Sequence, residues 1–236
     1  MNMQLIMARA RMNHRVSPGG DAYWNNVVSL LHFDGTDGST SIVDAAGKTA
    51  WTANGTAKIT TSNSKFGGSS LRLDGAGYLS AVTPSAVDLG ENDFTIECFA
   101  NLSTTPSTAA ALFATWVNST TNKLRPLITS SMNLQLAAEN ALVWQGGTVG
   151  SIGAWQHIAI TRSGSNSYGF VNGTLIVSKT SWPSPISAAN YAAEIGRNLQ
   201  NNAWFINGYL DQFRVTKGIA RYTANFTPPT APFPDN

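Results

Sequence analysis

Between residues 27 and 215, apolar side chains recur at every second position in short runs, and Gly, Asn, Asp and Ser interrupt them. A two-residue period sends successive side chains to opposite faces of a strand, and the interrupting residues are those that turns require. The pattern predicts strands near 27–34 (VVSLLHFD), 69–74 (SSLRLD), 77–82 (GYLSAV), 93–101 (DFTIECFAN) and 110–117 (AALFATWV). Further strands are expected near 123–129, 132–138, 141–145, 155–162, 167–171, 174–180, 191–196 and 205–215. No amphipathic helix separates them, which favours a sandwich of antiparallel sheets over a βαβ architecture. The strongest local signal is the hairpin over residues 168–177. There Asn172-Gly173 supplies the two positive φ angles of a type I′ turn. Trp155, opening an apolar strand, is expected in the core.

At 236 residues, one all-β domain can bury a core without covalent staples. The cluster Ser17-Pro18-Gly19-Gly20 marks a linker, and the organisation read from it is an arm and linker over 1–25 followed by a domain over 26–236. Charge sharpens that division. Arg9, Arg11 and Arg15 lie in the first 20 residues with no acid, leaving 12 basic against 13 acidic side chains in the remainder. A nearly neutral domain is not a nucleic-acid-binding one. The arm's Leu5, Ile6 and Met7 are too short an apolar stretch, too soon followed by Arg9, for a signal peptide. No run is long enough for a transmembrane helix. The lone Cys98 permits no intrachain disulfide and is expected to be buried. Pro228, Pro229, Pro232 and Pro234 predict an extended C-terminal run over the surface. Five Asn-x-Ser/Thr sequons, at Asn54, Asn101, Asn118, Asn172 and Asn225, are read as chance in an Asn- and Thr-rich chain.

The segments SLLHFDG (29–35), FGGSSLRLDGAGYL (66–79), DFTIECFAN (93–101), WQHIAITRSGSNSYGFVNG (155–173) and NGYLDQFRVTKGIARYTANFTPPTAPFP (207–234) carry a resemblance. In this order they resemble a laminin-G-like, concanavalin-like jelly roll, especially the versions on bacteriophage structural and tail proteins. The resemblance implies an all-β, two-sheet antiparallel jelly-roll sandwich with an extended N-terminal arm. It leaves function open, because the same fold hosts lectins, glucanases, receptor modules and virion parts.

Three constellations bear on chemistry. Glu91, Asp93 and Glu97 resemble the acidic run of glucanases with this fold, but the spacing E-x-D-x-x-x-E is overlong for the paired carboxyls of glycoside hydrolysis. No catalytic set is assigned. His157 is expected to be hydrogen-bonded on a sheet face with Ala159 and Thr161. The resemblance also implies a hard-cation site tying first and last strands. Asp34, Asp211 and carbonyls of the Phe66-Gly67-Gly68 turn would hold a structural calcium. The alternative is that Asp34 begins a turn and Asp211 accepts bonds from loop amides. Finally, there are seven Trp residues. Trp182 and Trp204 fall in polar loops, and with Trp116 and Trp144 they are the candidates for sugar stacking or a protein interface.

The expectation from sequence is a non-enzymatic structural or adhesion module of a bacteriophage virion, a capsid decoration or tail-associated protein. Its arm residues Leu5, Ile6, Met7, Arg9, Arg11 and Arg15 would anchor it to other virion subunits in an oligomeric assembly, with no membrane or nucleic-acid partner. A carbohydrate-binding, lectin-like module that takes surface glycans is the alternative, and a glycoside hydrolase using Glu91, Asp93 and Glu97 the third reading.

Overall fold

The computed structural model describes residues 19–118, 121–182, 192–198 and 203–236. Two eight-stranded antiparallel sheets face each other. The first runs β14 (Thr174–Thr180), β13 (Asn166–Val171), β12 (Gln156–Ser163), β6 (Phe94–Leu102), β16 (Asn207–Lys217), β4 (Ser70–Asp74), β3 (Lys58–Thr60), with β1 (Val27–Leu31) also paired to β16. The second runs β11 (Ala141–Thr148), β10 (Asn133–Ala138), β9 (Thr121–Thr129), β8 (Phe113–Asn118), β15 (Ala192–Ile195), β5 (Tyr78–Ala81), β2 (Trp51–Asn54), with β7 (Ala109–Ala111) on β9. The architecture is the all-β sandwich expected of a jelly roll.

Alternation decides what lies between the sheets. Phe94, Ile96 and Cys98 of β6 join Leu210, Phe213 and Val215 of β16 in the main core. Phe113, Ala193 and Ile195 of the second sheet close onto them. Each fully buried Phe or Leu contributes about 1.5–3 kcal/mol relative to exposure. Cys98 is buried there, and burial pushes its thiol far above its usual range. Two indoles tie the sheets together at their flanks. Trp144 Nε1 of β11 donates to Ser167 Oγ of β13, and Trp51 Nε1 of β2 donates to Ser29 Oγ of β1, each at 3.0 Å.

The Asn172-Gly173 turn forms as expected, with φ of 49° and 75°. Gly173 is doubly required, since a Cβ there would also collide with the Phe226 carbonyl of the C-terminal segment. The predicted strand 110–117 is in fact two. It breaks at Leu112, whose N–H donates to the Pro126 carbonyl at 3.0 Å while Pro126 has no N–H to return. Strands β2 and β3 were not anticipated, because three or four residues rich in Thr and Ala carry little period.

Two expectations need correcting. The C-terminal run does not merely skirt the surface. It lies on the outer face of the first sheet, where Phe233 is buried with Val27, Leu30 and Phe99 in a second apolar cluster. Trp155 belongs to that outer cluster, half-buried, with Nε1 donating to Asn63 Oδ1 at 3.0 Å, and not to the space between the sheets. Ahead of residue 26, Asp21 is buried in an ion-pair cluster and Trp24 packs against the outer cluster. The arm residues Leu5, Ile6, Met7, Arg9, Arg11 and Arg15 lie outside the described residues.

Candidate functional site

The acidic run does not converge. Glu91 is exposed and Asp93 Oδ1 accepts the Gly164 N–H at 2.7 Å. Glu97, with Thr95 and Phe99, points to the outer face of the first sheet and is sealed beneath the C-terminal segment. Its Oε1 accepts from Arg214 Nε and Nη2 at 3.0 and 2.8 Å, and its Oε2 from Tyr222 Oη at 3.0 Å, with His157 Nε2 at 3.2 Å. Asp21 completes the cluster, accepting from Arg214 at 3.0 Å and from Arg221 at 2.9 and 2.7 Å. Burial opposes ionisation of Glu97, but the charge of Arg214 and the bond to His157 outweigh it and hold the carboxyl far below its usual range. Asp21 is lowered too: burial raises it, and Arg221, the Tyr23 N–H and Arg214 more than offset that. The Glu97 carboxyl is thus held ionised and is 1% exposed. His157 stands on this face as expected, its ring 4.9 Å from that of Phe99 and 5.7 Å from that of Phe226.

Asp34 and Asp211 do meet. A bulge in β16, with Gln212 at φ 52°, turns both Asp211 and Gln212 to the outer side. Asp211 Oδ2 accepts the N–H groups of Lys65 and Phe66 at 2.8 and 3.0 Å. Asp34 lies against Gly67, whose missing Cβ admits its carboxyl. Burial first, and the nearby charge of Asp34 as well, raise Asp211 to about 7. The alternative reading of Asp211 as an acceptor of loop amides is therefore realised. The donor set nonetheless suits a hard cation: two carboxylates beside a Gly turn, with one Asp211 oxygen committed to amides. Among the described residues no group of three or more His, Cys, Asp or Glu gathers as a metal site, so backbone carbonyls would have to supply the other oxygens.

The four candidate tryptophans separate. Trp144 is buried between the sheets with its N–H satisfied, and Trp116 is buried on the outer side of the second sheet, so neither offers a ring to a ligand. Trp182 is half-buried against Phe94 (5.8 Å between ring centroids) with the Arg162 guanidinium 5.1 Å from its ring. Trp204 differs. It is half-buried, has a left-handed backbone (φ 59°) and borders a cleft of about 430 Å³.

That cleft lies where β6 ends and β16 begins. Ser103 N–H donates to the Asn207 carbonyl at 2.8 Å and Ala111 N–H to the Trp204 carbonyl at 2.8 Å, fixing the two loops against each other. Thr104, Thr105, Ser107, Thr108 and Asn207 bring hydroxyls and an amide to its wall, and Trp204 and Phe205 bring rings. Among the described residues no charged side chain lines it. The volume is that of a small-molecule site. Sequence reasoning found Trp204 but missed the facing loop, although Ser103-Thr104-Thr105-Pro106-Ser107-Thr108 stands out as a hydroxyl-rich run. Asn201 and Asn202, which precede Trp204 closely in sequence, lie outside the described residues.

With this geometry in hand, the family can be named. The model of the laminin-G-like domain of the concanavalin A-like lectin/glucanases superfamily matches residues 73–220. The chain belongs to this family. No curated protein matches it. Similar solved structures include domain 4 of a GH43 extracellular arabinanase from Geobacillus stearothermophilus, determined with arabinotriose. It has a TM-score of 0.61 and 17% identity over 82% of this chain and 93% of that one. The binding domain of Paraclostridial mosquitocidal protein 1 has a TM-score of 0.64 and 18% identity over 84% of this chain and 50% of that one. Trypanosoma rangeli sialidase, with a sialic acid derivative, has a TM-score of 0.60 and 12% identity over 83% and 32%. The laminin-G-like chain thus spans nearly all of the arabinanase domain but half or less of the other two. At such identities these likenesses show a shared fold, one found in glycoside hydrolases and in binding domains alike.

Proposed function

We propose that this protein is a non-catalytic glycan-binding module whose ligand occupies the cleft at Trp204. One observation carries the reading: a half-buried indole bordering a cleft whose described wall is uncharged and brings hydroxyls and an amide. Sugars present apolar C–H faces to rings and hydroxyls to such donors and acceptors. The arabinotriose bound to the similar arabinanase domain supports the same ligand class. The sealing of Glu97 supports the non-catalytic half. Glycan-array screening followed by calorimetry tests the proposal, and Trp204→Ala should weaken the best hit at least tenfold while leaving the melting temperature near that of the parent. A hit that survives Trp204→Ala with full affinity sinks this site.

The adhesion reading adds a direction to the module. Asp21 N–H donates to the Asn236 carbonyl at 2.5 Å, and Asp21 also binds Arg214, so the chain enters the domain beside the C-terminal segment. Arg214 and the cleft residue Asn207 are separated by seven positions of β16, roughly 20 Å along the strand. An arm attached there, docked on other subunits of a bacteriophage particle, would present the cleft outward, and a calcium at Asp34 and Asp211 would brace the entry strand. Deleting residues 1–18, which spares Asp21, should abolish particle incorporation and retain glycan binding. Normal incorporation of the truncated chain would refute the anchoring role.

A further inference from the structure

Arg125 sits in β9 on the outer face of the second sheet, because its neighbours Leu124 and Ile128 belong to the core. The other described charges around it are paired. Lys123 Nζ holds Glu139 at 2.9 Å, and Arg197 holds Glu194. Arg125 has neither an acidic partner nor a hydrogen-bond acceptor among the described residues, and its Nε is buried and unbonded. Burial is the one influence on its protonation, with no carboxylate to offset it. A partly buried cation without a partner loses hydration that nothing in the protein offsets, and an anion would compensate it.

Its geometry specifies the anion. The guanidinium carbon lies 5.1 Å from the ring centroid of Trp204, the same ring that borders the uncharged cleft. A guanidinium held over an indole in a cation–π contact keeps a fork of N–H groups that suits a planar partner. A carboxylate matches that fork with two parallel bonds. We propose that Arg125 is an anion subsite beside the cleft, and that the ligand is a glycan in which a sugar carboxylate meets Arg125 while a neighbouring ring packs at Trp204. The inference rests on the glycan-binding reading and narrows it to acidic sugars.

Calorimetry on the full chain tests it with two acidic probes and their neutral counterparts: a galacturonic acid trimer against a galactose trimer, and sialyllactose against lactose. The first pair carries its carboxylate on ring members of the chain and the second on a terminal acid, so the pair that binds identifies the source. The acidic member should bind roughly ten- to a hundredfold more tightly at about 20 mM salt, and that advantage should shrink at about 500 mM. Arg125→Gln should bring the acidic-to-neutral ratio to about one. Arg125→Lys, which keeps the charge without the fork, should retain a fraction of it. The salt dependence is read on the unmodified chain, so it stands even if a variant folds poorly. Neutral probes binding as tightly as acidic ones at low salt would overturn the Arg125 subsite and leave the cleft intact. A sulfated glycan preferred over both carboxylates would also overturn it. Absence of binding to any glycan would overturn both.

Discussion

The outer faces of the two sheets carry charge in opposite ways. On the first sheet, Glu97, Asp21, Arg214, Arg221 and Tyr222 satisfy one another beneath a C-terminal segment pinned by Phe233. Gln212 Oε1 accepts the Phe233 N–H at 3.0 Å and fastens that cover. Within that cluster one buried side-chain atom, His157 Nδ1, has no hydrogen-bond partner among the described residues, in a ring hemmed in by aromatic neighbours. On the second sheet, two donors, Trp116 Nε1 and Arg125 Nε, are buried with no acceptor. A satisfied network specifies a structure, whereas a buried donor without an acceptor costs stability and calls for an explanation of its own.

The sharpest way to break this contrast is to remove one member of the satisfied cluster. Glu97→Ala leaves Arg214 buried with half its partners and should cost about 3–5 kcal/mol in denaturant unfolding. A loss below about 1 kcal/mol would mean that the cluster is not the lock described.

A smaller effect comes from pH. The lowered pKa values of Glu97 and Asp21 contribute stability that is present above their unfolded values, near 4, and lost as pH falls through the folded ones. Asp211 acts with the opposite sign. Raised to about 7, it binds a proton in the folded state that the unfolded chain has released, so its contribution declines as pH rises from about 4 to about 7. Asp211→Asn should flatten that decline in melting temperature. Saturating calcium should flatten it in the parent chain and not in the variant. Identical profiles with calcium and with chelator would dismiss the cation.

The smallest effect probes the second sheet. Trp116→Phe deletes an N–H with no acceptor at little cost in volume, so the ligand-free protein should be unchanged or stabilised by up to about 1 kcal/mol. The same replacement at Trp144, whose N–H is bonded to Ser167, should destabilise by a similar amount. Equal losses at both positions would erase the distinction between the faces.

Much of the architecture could be read from residue order, because the two-residue period is a local property of the chain. It predicted the long strands, the Asn172-Gly173 hairpin, the burial of Cys98 and the outer-face position of His157. Periodicity failed where a strand was too short to show it, as in β2 and β3, or where a partner interrupted it, as Pro126 interrupts β7 and β8. It also says that two faces exist without saying what covers them. Trp144 and Trp204 each follow an apolar residue, Val143 and Ala203; only packing shows one clamped between sheets and the other beside a cleft. Glu97 reads as a catalytic candidate until Arg214, 117 positions later, and Asp21 are brought against it. Burial, pairing and pKa arise from contacts between residues distant in the chain. Local order therefore sufficed for the sandwich, and tertiary structure alone decided which of its charged and aromatic side chains were paired, buried or left at the surface.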